Sequence, residues 1–209
     1  MANVLAIRSV ASSLAEWLTN TYATATIPGG RPAASFVAVS SGQMAADDAD
    51  EDPAGEQNRV TIYIYRVGVN PHLRTSGRTL RPDMDPPPLS LNLHLLFSVW
   101  SESASDEHTL LAWVMRSLHE HPVLDASSLG FDARWGADEV VQLIPEELST
   151  EDMMRIWDSL TPSYRISLSY IARVVRIDPD GPEPDHAPVV ATRFRMGDEV
   201  RVGGEGSGS

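Results

Sequence analysis

The stretch STEDMMRIWDSLTPSYRISLSYIARVVRID, residues 149–178, decides how the rest of the chain is interpreted. Its first half carries four apolar residues at the i, i+3, i+4, i+7 spacing of one helix face: Met153, Ile156, Trp157 and Leu160. Ser149 is placed to cap this helix, and Asp152 lies three positions later at its positive end. Pro162 ends the helix, because proline disfavours helical geometry in the residue before it.

From residue 164 the apolar period changes to two, which is the period of a β-strand. The predicted core face of this strand is formed by alternate residues: Tyr164, Ile166, Leu168, Tyr170, Ala172 and Val174. The opposite face mixes polar and apolar side chains, and it includes Arg165 and Arg173. The stretch therefore predicts a short helix that leads into the longest strand of the protein, and nothing in it is typical of a catalytic centre.

Composition indicates a globular, acidic protein. The chain has 209 residues with 42% hydrophobic content, which suits one packed domain with extensions. It has no cysteine, which excludes disulfides, thiolate metal sites and cysteine nucleophiles. The net charge of −13, with arginine as the only strong base, argues against binding to nucleic acid or anionic membranes. No apolar run has the length of a membrane span, so we expect no membrane insertion. We expect the protein to assemble in the cytoplasm.

The remaining periodic segments predict the other elements of an α/β (α+β) fold. Helices are expected at residues 3–21 and from Ser103 or Ser105 to residue 119. Further strands are expected at 35–40, 59–69, 89–100 and 139–144. The prediction is a single domain at 1–178, in which a mixed, mostly antiparallel sheet packs with about three helices.

Several segments outside these elements are predicted to be loops or an extension. The acidic loop 41–58 and the loop 70–88 are expected to be mobile, and the acid spacing in 41–58 does not fit an EF-hand. Residues 179–209 form an extension with one late strand at 189–196, which could add to the sheet of a neighbouring subunit.

Eight residues are candidates for contacts between subunits or with partners. Trp113 lies off the apolar stripe of its predicted helix, so it either flanks the core or meets a partner. The others are arginines on loops and strand faces, together with one phenylalanine of the late strand: Arg74, Arg78, Arg81, Arg165, Arg173, Phe194 and Arg195. The arginines of loop 70–88 have an alternative interpretation, which is pairing with acids of the same chain.

The sequence contains no positive sign of an enzyme. It has no glycine-rich phosphate loop and no nucleophile elbow, and no spacing assembles a catalytic triad. His94, His108 and His119 lack partners at metal-ligand spacing. We therefore predict no catalytic residue, no cofactor site and no metal site, and a metal-dependent hydrolase that uses these histidines is the remote alternative.

Three segments together carry a family resemblance: MANVLAIRSVASSLAEWL at residues 1–18, LSLNLHLLFSVW at 89–100 and IWDSLTPSYRISLSYIARVVRID at 156–178. In this order the chain resembles the cap protein family of extracellular contractile injection systems, which are particles related to contractile phage tails. The resemblance covers residues 1–178 and implies a fold like that of phage tail terminators.

The resemblance also implies a structural role without enzymatic activity or cofactor. Such caps are expected to form a hexameric ring that closes the tube and sheath at the end distal to the baseplate. The implied partners are further copies of the chain and the terminal sheath and inner-tube subunits. The alternative within the same class is an adaptor or completion protein of a prophage tail.

Overall fold

The computed structural model describes residues 2–45, 58–70 and 88–178. In this part of the chain a six-stranded mixed sheet packs with four helices. The helices are α1 (Ala6–Ala23), α2 (Ser41–Ala45), α3 (Ala104–Glu120) and α4 (Thr150–Asp158). The strands are β1 (Ser35–Val39), β2 (Arg59–Val69), β3 (Leu89–Trp100), β4 (Val123–Asp125), β5 (Val140–Pro145) and β6 (Ser167–Ile177). The predicted α+β class is confirmed.

The strand order in the sheet is β1-β2-β3-β6-β5-β4, so β1 and β4 are its outer strands. Only β1 and β2 run parallel, and the other four pairs are antiparallel, as predicted. Strands β3 and β6 occupy the centre. The near-continuous apolar run of β3 is explained by this position, because a central strand is covered on both faces.

The two faces of the sheet are covered by different helices. On one face, called the core face here, α1 and α3 pack against the strands and form the larger apolar cluster. On the other, called the second face, α2 and α4 supply a smaller cluster. Four buried residues make up that smaller cluster: Met44, Leu96, Trp100 and Trp157.

The predicted helix at the start of the 149–178 stretch is confirmed together with its cap, but it ends at Asp158, before Leu160 and Pro162. The Ser149 hydroxyl accepts a hydrogen bond of 3.1 Å from the backbone N–H of Asp152. Replacing Ser149 with alanine leaves this N–H without its protein acceptor, so we expect the free energy of unfolding to fall by about 1 kcal/mol. Urea unfolding of Ser149→Ala beside Ser105→Ala, an exposed serine with no cap bond, measures the effect. Equal stabilities of the two variants would contradict the role of the cap.

The prediction that Val174 lies on the core face is wrong, and Val175 is buried there instead. In the pairing of β3 with β6, Leu91 lies opposite Val175 and Leu93 lies opposite Ala172. Strand β6 therefore carries one extra residue between these pairs, which is a β-bulge. The bulge shifts the alternation by one position, and a pattern of strict period two cannot show it.

Three further segments differ from the predictions. The strand of the 149–178 stretch begins at Ser167, and Tyr164 before it is half exposed. Residues 41–45 form helix α2 and not the start of a mobile loop. A reciprocal cap explains this helix, since Ser40 N–H donates to the Gln43 side chain and Gln43 N–H donates to the Ser40 hydroxyl. The three-residue strand β4 was not predicted.

Some predictions lie outside the described residues. They concern residues 46–57 of the acidic loop, residues 71–87 of the arginine loop and the extension from residue 179 onward. Five interface candidates belong to these segments: Arg74, Arg78, Arg81, Phe194 and Arg195. Across the ranges that the structure does describe, no helix is long and apolar enough to cross a membrane.

Candidate functional site

Four polar side chains meet on the second face of the sheet: Tyr65 of β2, His94 of β3, Ser169 of β6 and Glu146, which follows β5 directly. We call this group the Glu146 cluster. The backbone N–H of Glu146 also donates to the carbonyl of Ser169 over 2.9 Å. The cluster therefore ties the connection between β5 and α4 to the three neighbouring strands.

The carboxylate of Glu146 is the centre of the cluster because three side chains donate to it. The Tyr65 hydroxyl lies 2.6 Å from Oε2 and the Ser169 hydroxyl lies 2.8 Å from the same oxygen. The Nδ1 atom of His94 lies 2.9 Å from Oε1 and 3.0 Å from Oε2. The side chains of His94 and Glu146 are 11% and 17% exposed, so the contact is largely shielded from water.

These contacts shift two pKa values in opposite directions. Burial raises the pKa of Glu146, but the hydrogen bonds from Tyr65, His94 and Ser169 outweigh it and hold this pKa below its ordinary value of 4.5. Burial, and then the hydrogen bond to Glu146, raise the pKa of Tyr65 to about 12. At neutral pH the cluster therefore contains an ionised carboxylate and a protonated phenol.

The Glu146 cluster contains the three residue types of a catalytic triad: a serine, a histidine and a carboxylate. In a triad the histidine stands between the acid and the hydroxyl, so that it can take the hydroxyl proton. Here Ser169 donates to Glu146 directly, and its other described side-chain contact is with Tyr65 at 3.2 Å. The arrangement holds the carboxylate in place and does not activate a nucleophile.

Sequence reasoning missed this cluster. His94 has no partner at ligand spacing in the sequence, because its partner Glu146 is 52 residues away in the chain. Only the pairing of β3 with β6 and of β6 with β5 brings the two residues together. Within residues 2–45, 58–70 and 88–178, no group of three or more His, Cys, Asp or Glu side chains could hold a metal ion.

The Glu146 cluster predicts a loss of stability in acid. The pKa of Glu146 in the folded chain is lower than its ordinary value of 4.5. The ionised carboxylate therefore stabilises the fold fully at pH values above 4.5. This contribution is lost as the pH falls through the lowered pKa. We expect the free energy of unfolding, measured with urea, to fall more steeply below pH 4.5 for the wild type than for Glu146→Gln. Equal slopes for the two proteins would contradict the prediction.

Two of the interface candidates lie at different places along β6: Arg165 comes just before this strand, and Arg173 lies within it. The guanidinium of Arg165 lies 5.3 Å from the ring centre of Trp100, as does that of Arg59. Arg173 is exposed and lines a cleft of about 250 Å³ beside β5 and β6. The same cleft is lined by Asp138 and Glu139, so it carries charges of both signs.

Trp113 is 4% exposed and belongs to the apolar cluster on the core face of the sheet. Its ring packs edge-on against Tyr22, with 4.7 Å between ring centres, and at a tilt against Phe36, with 5.5 Å between ring centres. The first of its two predicted roles, flanking the core, describes this position. The structure therefore does not bring the three described candidates into one site.

The sequence matches a known family, and the fold matches known structures. A family model described as the Pvc16 N-terminal domain matches residues 9–191. No curated protein matches the chain in sequence. The PVC sheath/tube terminator of an extracellular contractile injection system, in its extended state, has 16% identity and a TM-score of 0.55 over 94% of this chain and 65% of that one.

A second solved structure, the tube-terminating cap of the anti-feeding prophage, has 16% identity and a TM-score of 0.50. The match covers 87% of this chain and 60% of that chain. The chain thus spans less than two thirds of the length of both proteins. At this identity the two likenesses show a shared fold.

Proposed function

The chain belongs to the Pvc16 N-terminal domain family, and we propose that it is a structural cap that terminates the tube and sheath of a contractile injection system at the end distal to the baseplate. The observation that carries this proposal is the fold shared with a sheath/tube terminator over 94% of the chain. The proposed partners are further copies of the chain and the terminal sheath and inner-tube subunits. The cap assembles in the cytoplasm as part of a phage-tail-like particle.

Two features of the described residues support an architectural role over an enzymatic one. The Glu146 cluster directs its three donors onto one carboxylate and leaves no hydroxyl oriented by a base. The sheet ends in two different outer strands, β1 and β4. Outer strands can add strands from neighbours, and a hexameric ring of identical subunits needs two different complementary surfaces.

Electron microscopy of particles from a deletion strain tests the proposal. A terminator stops elongation, so particles without it should have variable tube lengths and sheaths that detach or disassemble. Expression of the full chain from a plasmid should restore one uniform length. Uniform, stable particles in the deletion strain would overturn the proposed function.

A further inference from the structure

Phe131 is an exposed aromatic side chain on a firmly held turn. It is 92% exposed, and it begins the 3₁₀ turn Phe131–Ala133. The turn is fixed to the start of α1, because Asn3 N–H donates to the carbonyl of Ala133 over 2.9 Å and the Asn3 side chain donates to the carbonyl of Asp132 over 3.1 Å. Val4, the next residue of that junction, is 66% exposed. We call Val4, Phe131 and Asp132 the knob.

A cleft lies at the other end of α1, between the segment after this helix and α3. Its volume is about 410 Å³, which is within the range of pockets that enclose small organic groups. Ile27, Pro28 and Trp113 give it apolar walls, and His108 and Arg116 add basic groups. We call it the Trp113 cleft.

The knob and the Trp113 cleft complement each other in chemistry. The phenyl ring and the valine of the knob suit the apolar walls of the cleft, and the carboxylate of Asp132 is opposite in charge to the guanidinium of Arg116. The described ion pair of Arg116 is with Glu120, at 3.9 Å between exposed side chains, so it is weak and exchangeable. An exposed aromatic residue next to an acid is typical of an interface anchor, and an apolar cleft with a base is a suitable pocket for it.

The two surfaces cannot meet within one chain, because α1 lies between them. The helix has 18 residues and is therefore about 27 Å long. Two different surfaces at opposite ends of one helix can join only different copies. When such contacts repeat head to tail, they close into a ring if the rotation permits. We propose that Phe131 of one subunit inserts into the Trp113 cleft of the next. This inference rests on the proposed function and specifies one contact between neighbouring subunits of the proposed ring.

The solution mass of the full chain, alone and with inner-tube protein, tests the contact. Phe131→Ala should weaken self-association by roughly 30-fold, as expected for an interface hot spot, without lowering the melting temperature. Val67→Ala is the control, since Val67 is a half-exposed apolar residue of β2 that belongs to neither surface. Rings of Phe131→Ala that form as readily as those of the wild type would overturn the inference and leave the proposed function standing.

A charge exchange gives a second, independent test. Asp132→Arg and Arg116→Asp should each weaken the ring, because each places like charges against each other across the contact. The double variant restores opposite charges and should recover assembly. If the double variant assembles no better than either single variant, the contact is wrong. A wild-type chain that stays monomeric in both conditions also overturns the inference, and the deletion strain then decides the proposed function separately.

Discussion

Replacing Trp157 with alanine is expected to lower the free energy of unfolding by about 4 kcal/mol. Trp157 is 3% exposed and anchors α4 on the second face of the sheet. Its ring lies 6.1 Å from that of Trp100 and 5.9 Å from that of Tyr164, between ring centres. Among the described residues this cluster has four buried members, so removing this large side chain leaves a cavity that its neighbours can fill only in part.

The matched control is Trp157→Phe. The Nε1 atom of Trp157 is buried without a hydrogen-bond partner among the described residues, so phenylalanine removes no hydrogen bond and keeps most of the ring contact. We expect it to cost about 1 kcal/mol. Urea unfolding of the three proteins measures the difference. An alanine variant as stable as the phenylalanine variant would show that α4 does not depend on this ring.

Replacing Glu146 with alanine is expected to cost about 3 kcal/mol, because Tyr65, His94 and Ser169 lose the acceptor that they share in a largely buried place. The connection between β5 and α4 loses its attachment at the same time. Circular dichroism during urea unfolding measures the effect. Glu147→Ala is the control, since Glu147 is the exposed neighbour and its removal changes the net charge equally. Similar stabilities of the two variants would contradict the structural role of the cluster.

Local chemistry made parts of the fold predictable. The helix–strand order of residues 149–178 followed from the change of apolar period, and the cap at Ser149 followed from its position before that period. These features depend on neighbours within a few residues. The bulge that buries Val175 in place of Val174 depends on the pairing with β3, so the sequence of β6 alone could not reveal it.

The candidate site was less predictable than the fold because its contacts are long-range. His94 and Glu146 are 52 residues apart in the chain, and Asn3 is 129 residues from Asp132, whose carbonyl its side chain binds. The exposure of Phe131 likewise depends on the tertiary attachment of its turn to Asn3. The helical position of Trp113 is compatible with both of its predicted roles, because its ring contacts the aromatic core and also lines the cleft.

Locating the protein on intact particles is the most direct test of the central claim. The full chain, tagged and labelled with gold, is added back to a deletion strain, and purified particles are imaged by electron microscopy. A terminating cap predicts label at one end only, opposite the baseplate, on nearly every particle of uniform length. Label at the baseplate, or distributed along the sheath, would contradict the account.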